Sequence, residues 1–165
     1  MDLIKRLKSE LFLLKTGFPP VCAGVGALFS LVLMVACGNF YLYKLLLLPR
    51  HAPPQLLFFL LFFLCGGLAG YTAGLIYACG KGKRVVFPLL CLLLSYVFLC
   101  LWYIALFKTV SPLFALFLML MALLMAAVSL KDCLALGVLA ALFTVALLLP
   151  LLFYLWMTFA ILILN

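Results

Sequence analysis

Five long apolar runs, parted by short polar or charged breaks, leave this chain very few folds to choose from. They cover about residues 20–43, 55–79, 85–107, 113–130 and 133–165. A helix rises 1.5 Å per residue, so each run is long enough to cross the ~30 Å of bilayer hydrocarbon. The last run is too short for two spans and a turn, which need about 40 residues. It reads as one long tilted helix, bent locally at Pro150. The expected fold is an all-α integral membrane protein: a single domain over 1–165, built as a five-transmembrane-helix bundle.

Composition and charge point the same way. The chain is 72% hydrophobic and 8% charged, whereas a soluble domain is about half apolar and a quarter charged. Its net charge of +8 does not indicate a nucleic-acid partner, because the basic residues sit in small clusters between the runs. That arrangement sets membrane orientation. Lys5, Arg6, Lys8, Lys15, Lys81, Lys83, Arg84 and Lys131 fall on one expected side, counting a turn at 131–132. Only Lys44, Arg50 and Lys108 fall on the other. The N-terminus is therefore expected in the cytoplasm, with a bacterial cytoplasmic membrane as the setting, and the stretch LPRHAPPQ (48–55) faces outward.

Residues 1–17 place Leu3, Leu7, Leu11 and Leu14 on one helical face and Lys5, Lys8 and Lys15 elsewhere. They read as an amphipathic interfacial segment. LMVAC before Gly38 looks like a lipoprotein cleavage box, but Met34 fits it poorly and the run is long for a signal core, so an uncleaved start is expected.

Several chemistries lack their residues. Asp2, Glu10 and Asp132 all lie outside the expected spans, and no lysine or arginine lies mid-membrane. Coupled transport and ion conduction usually need such groups or a polar lining. Ser95 and Ser129 have no histidine on their spans to activate them, so no catalytic residue is assigned. The seven cysteines are odd in number and lack a Cys-x-x-Cys, and His51 is the only histidine. They read as small packing residues rather than a metal site.

What remains is an apolar, aromatic interior suited to a flat or lipid-like ligand. Phe58 with Phe62, and Phe59 with Phe63, stack one turn apart as core or as a pocket wall. Gly66, Gly70 and Gly74, with Ala69 and Ala73 beside them, form a small-residue stripe for close helix approach. The approach is either within the bundle or in a homodimer.

The stretch LPRHAPPQLLF (48–58) is unusual for so greasy a chain, and it carries a family resemblance. Tyr43, Leu46, Pro49, Pro53, Pro54, Phe58 and Gly70 follow without a gap the pattern after the first span of the TspO/MBR family. These are the tryptophan-rich sensory proteins, which include the mitochondrial translocator protein. Trp102 and Phe107 match the family's third span. Pro150, Trp156, Phe159, Ala160, Leu164 and Asn165 follow its last span in order, with Pro150 about two residues early and Leu-Asn one late. The chain departs at His51, where the family has an aromatic, at Leu48 for its lysine, and at Phe62 for its tryptophan. Ser95 and Leu99 fall near its polar third-span positions.

The resemblance implies a pocket between the helices, closed by the 44–55 loop, that binds tetrapyrroles (protoporphyrin, haem) or sterol-like molecules. No cofactor is obligatory. The implied ligand-binding set is Tyr43, Pro49, Arg50, His51, Pro53, Pro54, Phe58, Phe62, Ser95, Trp102, Phe107, Trp156, Phe159 and Ala160. Prolines can hold such a loop in shape with few backbone hydrogen bonds, and the Pro-Pro pair sits at a helix start at little cost. On the lid, neutral His51 is a candidate ligand for haem iron, and Arg50 a partner for a propionate. Two other roles stay open: an accessory subunit of a membrane transport complex, and a porphyrin-degrading enzyme using Trp102 or Trp156.

Overall fold

In the computed structural model the residues described are 17–37, 49, 52–79 and 84–165. They form five helices: α1 (Phe18–Cys37), α2 (Gln55–Cys79), α3 (Val86–Phe107), α4 (Pro112–Leu136) and α5 (Val138–Leu164). Each is long and apolar enough to cross a membrane, and no strand occurs among the described residues. The chain is an all-α integral membrane protein whose outer surface, rich in exposed leucine, valine and phenylalanine, contacts lipid.

The helices form a ring in the order α1, α2, α5, α4, α3, with α2 also touching α3. The α1–α2 and α3–α4 pairs pack most extensively, whereas α1 meets α3 only slightly. The inner face of α5 repeats at helical spacing through Ala140, Thr144, Leu147, Leu151, Tyr154, Thr158 and Ile161. Each hydroxyl in that series has a partner. Thr144 donates to the Ala140 carbonyl (2.7 Å) and Thr158 to the Tyr154 carbonyl (2.7 Å).

Two expected boundaries move. Lys131 and Asp132 do not form a turn but lie inside α4, and the chain breaks later, at Gly137. Gly137 is extended (φ −176°, ψ 149°), and its N–H closes α4 on the Cys133 carbonyl at 2.9 Å. Charge is tolerated there because Lys131 is exposed within two turns of the helix end, where a long side chain reaches the interface. Pro150 does sit inside one continuous α5. Having no N–H, it leaves the Ala146 carbonyl without its usual helical donor.

The α3–α4 turn is tight. Lys108 and Thr109 both donate backbone N–H groups to the Ile104 carbonyl, at 2.9 and 3.3 Å, and Ser111 donates to Ala105 at 3.1 Å. Val110 closes it at φ 50°, a left-handed conformation that is costly for a β-branched residue. Pro112 then opens α4, where its missing N–H costs nothing.

Candidate functional site

The glycine stripe finds its partner inside the bundle. A β-carbon on Gly66 would run into the Gly26 carbonyl oxygen and Ser30 Oγ, and one on Gly70 into the Cys22 carbonyl. On Gly74 it would come within 2.6 Å of the Pro19 Cα. So α1 lies on α2 backbone to backbone, with Gly26 facing Gly66. The stripe is covered by α1.

At the end of the bundle where Ala52–Pro54 lead into α2, aromatic rings from three helices converge. Phe58, Phe62, Trp102, Tyr103, Phe107 and Tyr154 are all 0–1% exposed. Phe58 is the hub. Its ring lies 5.0 Å from Tyr154 and 5.7 Å from Phe107, both edge to face, and 6.1 Å from Trp102. Phe62 stacks on Tyr103 at 4.6 Å. A polar chain threads the cluster: Trp102 Nε1 donates to Thr158 Oγ1 (2.9 Å), Thr158 to the Tyr154 carbonyl, and Tyr154 Oη to the Phe58 carbonyl (2.8 Å). Indole and phenol are thus satisfied inside an apolar medium. Pro49 accepts the Ala52 N–H at 2.8 Å, forming the turn before α2.

The expected site residues therefore divide. Phe58, Phe62, Trp102 and Phe107 come together in this cluster, with Pro53 and Pro54 just before α2. Trp156 and Phe159 do not join them. They are 45% and 52% exposed on the lipid side of α5. There, with Leu116, Leu120, Leu152 and Leu155, they line an apolar groove of about 410 Å³ between α4 and α5. Ala160 is half-buried. Ser95 serves helix packing, donating to the Ala122 carbonyl on α4 at 2.7 Å. Tyr43, Arg50 and His51, like most of the 44–55 loop and the 1–16 segment, lie outside the described residues.

Residues not singled out from the sequence complete the picture. Tyr103, Tyr154 and Thr158 build the cluster. Ser30 and Tyr96 form a second polar point near mid-span. The available signal was a hydroxyl at helical spacing inside an apolar run, as in Tyr154 and Thr158. Cys65, Cys91, Cys100 and Cys133 are buried free thiols. Among the described residues no group of three metal-ligating side chains occurs.

No protein-family model matches this chain, and no curated protein matches it either.

Proposed function

We propose that the chain binds flat hydrophobic ligands drawn from the bilayer, tetrapyrroles such as protoporphyrin or haem foremost and sterol-like molecules second. In this reading it sits in a bacterial cytoplasmic membrane with its N-terminus inside and the Pro-rich segment outward. The observation that carries the reading is the aromatic cluster centred on Phe58, directly below that segment. Six buried rings from α2, α3 and α5 offer faces and edges for stacking with a planar macrocycle. The cluster is close-packed and a macrocycle is much wider than one ring, so binding opens the cluster: Phe58 swings out and the ligand takes over its contacts with Trp102 and Tyr154.

The test is a titration of the purified Trp156→Phe variant with protoporphyrin, which leaves Trp102 as the sole tryptophan. Saturable quenching of Trp102, with no change in the porphyrin's mass after incubation, is the expected result. Quenching no greater than that of a tryptophan-bearing single-span peptide in the same lipid would remove the ligand from this site. Steady conversion of the porphyrin to a new product would replace binding with catalysis.

A further inference from the structure

The start of α3 and the end of α4 lie side by side, at the end of the bundle away from the Pro-rich segment. Between them is a pocket of about 280 Å³, lined by Arg84, Phe87 and Pro88 on one side and by Asp132, Ala135 and Leu136 on the other. It brings a base and an acid into one small space at the edge of the membrane. Among the described residues these two charges form no ion pair, with each other or with a third group. Lys131, next to Asp132 in sequence, is exposed and takes no part in the lining. One turn deeper the walls are tied together: Ser129 Oγ, buried on α4, donates to the Pro88 carbonyl at 3.0 Å.

The two walls differ in sign by backbone as well as by side chain. α3 opens without a side-chain cap and with no acid in its first turn, so its positive dipole end stands beside Arg84. α4 closes with no base in its last turn, so its negative end stands beside Asp132. A net anion in the pocket is repelled by Asp132, and a net cation by Arg84. A molecule that carries both charges close together satisfies both walls. The pocket also leads into lipid. Phe87, Leu90, Leu94 and Val97 recur at helical spacing and are 56%, 52%, 37% and 45% exposed. They make an apolar stripe on α3 that begins at the pocket itself.

We infer that this pocket holds the headgroup of a phospholipid whose phosphate is joined to a primary ammonium, the phosphate on Arg84 and the ammonium on Asp132, with the acyl chains along the Phe87–Val97 stripe. Arg84 can hold a phosphate through two parallel N–H donors, and a primary ammonium brings three donors to a carboxylate. The chemistry separates this headgroup from its relatives. A trimethylammonium keeps the charge but has no N–H to donate. A glycerol headgroup offers Asp132 no cation and brings a net negative charge beside it. Purely basic pockets between spans select anionic lipids; the acid is what changes the preference here. The site lies at the opposite end of the bundle from the aromatic cluster and does not depend on the tetrapyrrole reading. In the orientation proposed above, its lipid belongs to the cytoplasmic leaflet.

The experiment is native mass spectrometry of the full chain released from detergent micelles. The protein is titrated with phosphatidylethanolamine, phosphatidylcholine and phosphatidylglycerol of identical acyl chains. Phosphatidylethanolamine should form a single adduct about fivefold tighter than the choline lipid, the ratio that one net hydrogen bond gives, and tighter than the glycerol lipid as well. Asp132→Asn should lower the first ratio and make phosphatidylglycerol the preferred lipid, a reversal that partial unfolding does not produce. Arg84→Gln should weaken all three lipids. Ala135→Phe, at an exposed position of α4, should fill the pocket and remove the selective adduct with both charges still present. Equal binding of the three lipids, a preference of the parent for phosphatidylglycerol, selectivity unchanged in Asp132→Asn or in Ala135→Phe, or displacement of the bound lipid by inorganic phosphate alone would each overturn the assignment.

Discussion

Tyr154 donates its phenolic proton to the backbone carbonyl of Phe58 at 2.8 Å, across 96 positions of sequence. This bond ties the last helix to the start of the second, and both rings belong to the same buried cluster. Tyr154→Phe keeps the ring and removes the donor. It should lower stability by about 1 kcal/mol, seen as a drop in the Tm of the detergent-solubilised protein. An unchanged Tm would show that the bond contributes nothing beyond packing.

The two tryptophans should behave as opposites. Trp102 is fully buried and hydrogen-bonded to Thr158, whereas Trp156 is 45% exposed to lipid. Trp102→Phe loses a bond and leaves a void, and should destabilise by about 1–3 kcal/mol. Trp156→Phe should stay within about 0.5 kcal/mol of the parent. Urea or thermal unfolding of the two variants separates the cases. Equal destabilisation would place Trp156 in the interior after all.

A pair of glycine substitutions tests the α1–α2 contact. Gly70→Ala drives a methyl into the Cys22 carbonyl and should cost about 1–3 kcal/mol. Gly24 has open space at its β-carbon, so Gly24→Ala should instead stabilise by about 0.5–1 kcal/mol. Because α1 already covers the stripe, a homodimer built on it would have to displace α1. Loss of a dimer in Gly70→Ala without loss of stability would favour that arrangement.

Val110 offers a simple gain. It holds φ 50° in the α3–α4 turn and is 47% exposed. Val110→Gly removes a β-branched side chain from a conformation that costs it about 1–2 kcal/mol. A higher Tm is expected; a lower one would mean that the valine side chain contributes more than its backbone costs.

Orientation can be read with cysteine labels at two exposed positions in a cysteine-free background. Thr109→Cys, beside Lys108, should react with an impermeant reagent in intact cells. Ala135→Cys, near the opposite end of α4, should react only after permeabilisation. The reverse pattern would invert the topology and place the Pro-rich segment inside.

Hydropathy made the spans legible, and it placed the second one, 55–79, where α2 lies. It failed at Lys131–Asp132, because two charges near a helix end cost little once the lysine reaches the interface, while a one-residue break at Gly137 leaves almost no trace in composition. The inner faces were harder to see. Lipid and core are both apolar, so a hydrophobic stripe does not distinguish inside from outside. Trp156 and Phe159 looked like pocket residues by motif, yet Tyr154, Thr158 and Ile161 take the inner face and turn them toward lipid. The glycines announced a close approach but not the partner, since that depends on which helix comes to lie across them.

The backbone-to-backbone seat of α1 on α2 also bears on how the molecule is assembled. Almost everything that holds α1 in place lies on the next helix to leave the ribosome, so the first two spans can lock together before the other three exist. The later helices then have a preformed hairpin to close against, and the α1–α3 seam is the last joint made. Two separately expressed pieces divided between α2 and α3 should therefore find each other in the membrane, because the cut spares the α1–α2 contact, the most extensive among the described helices.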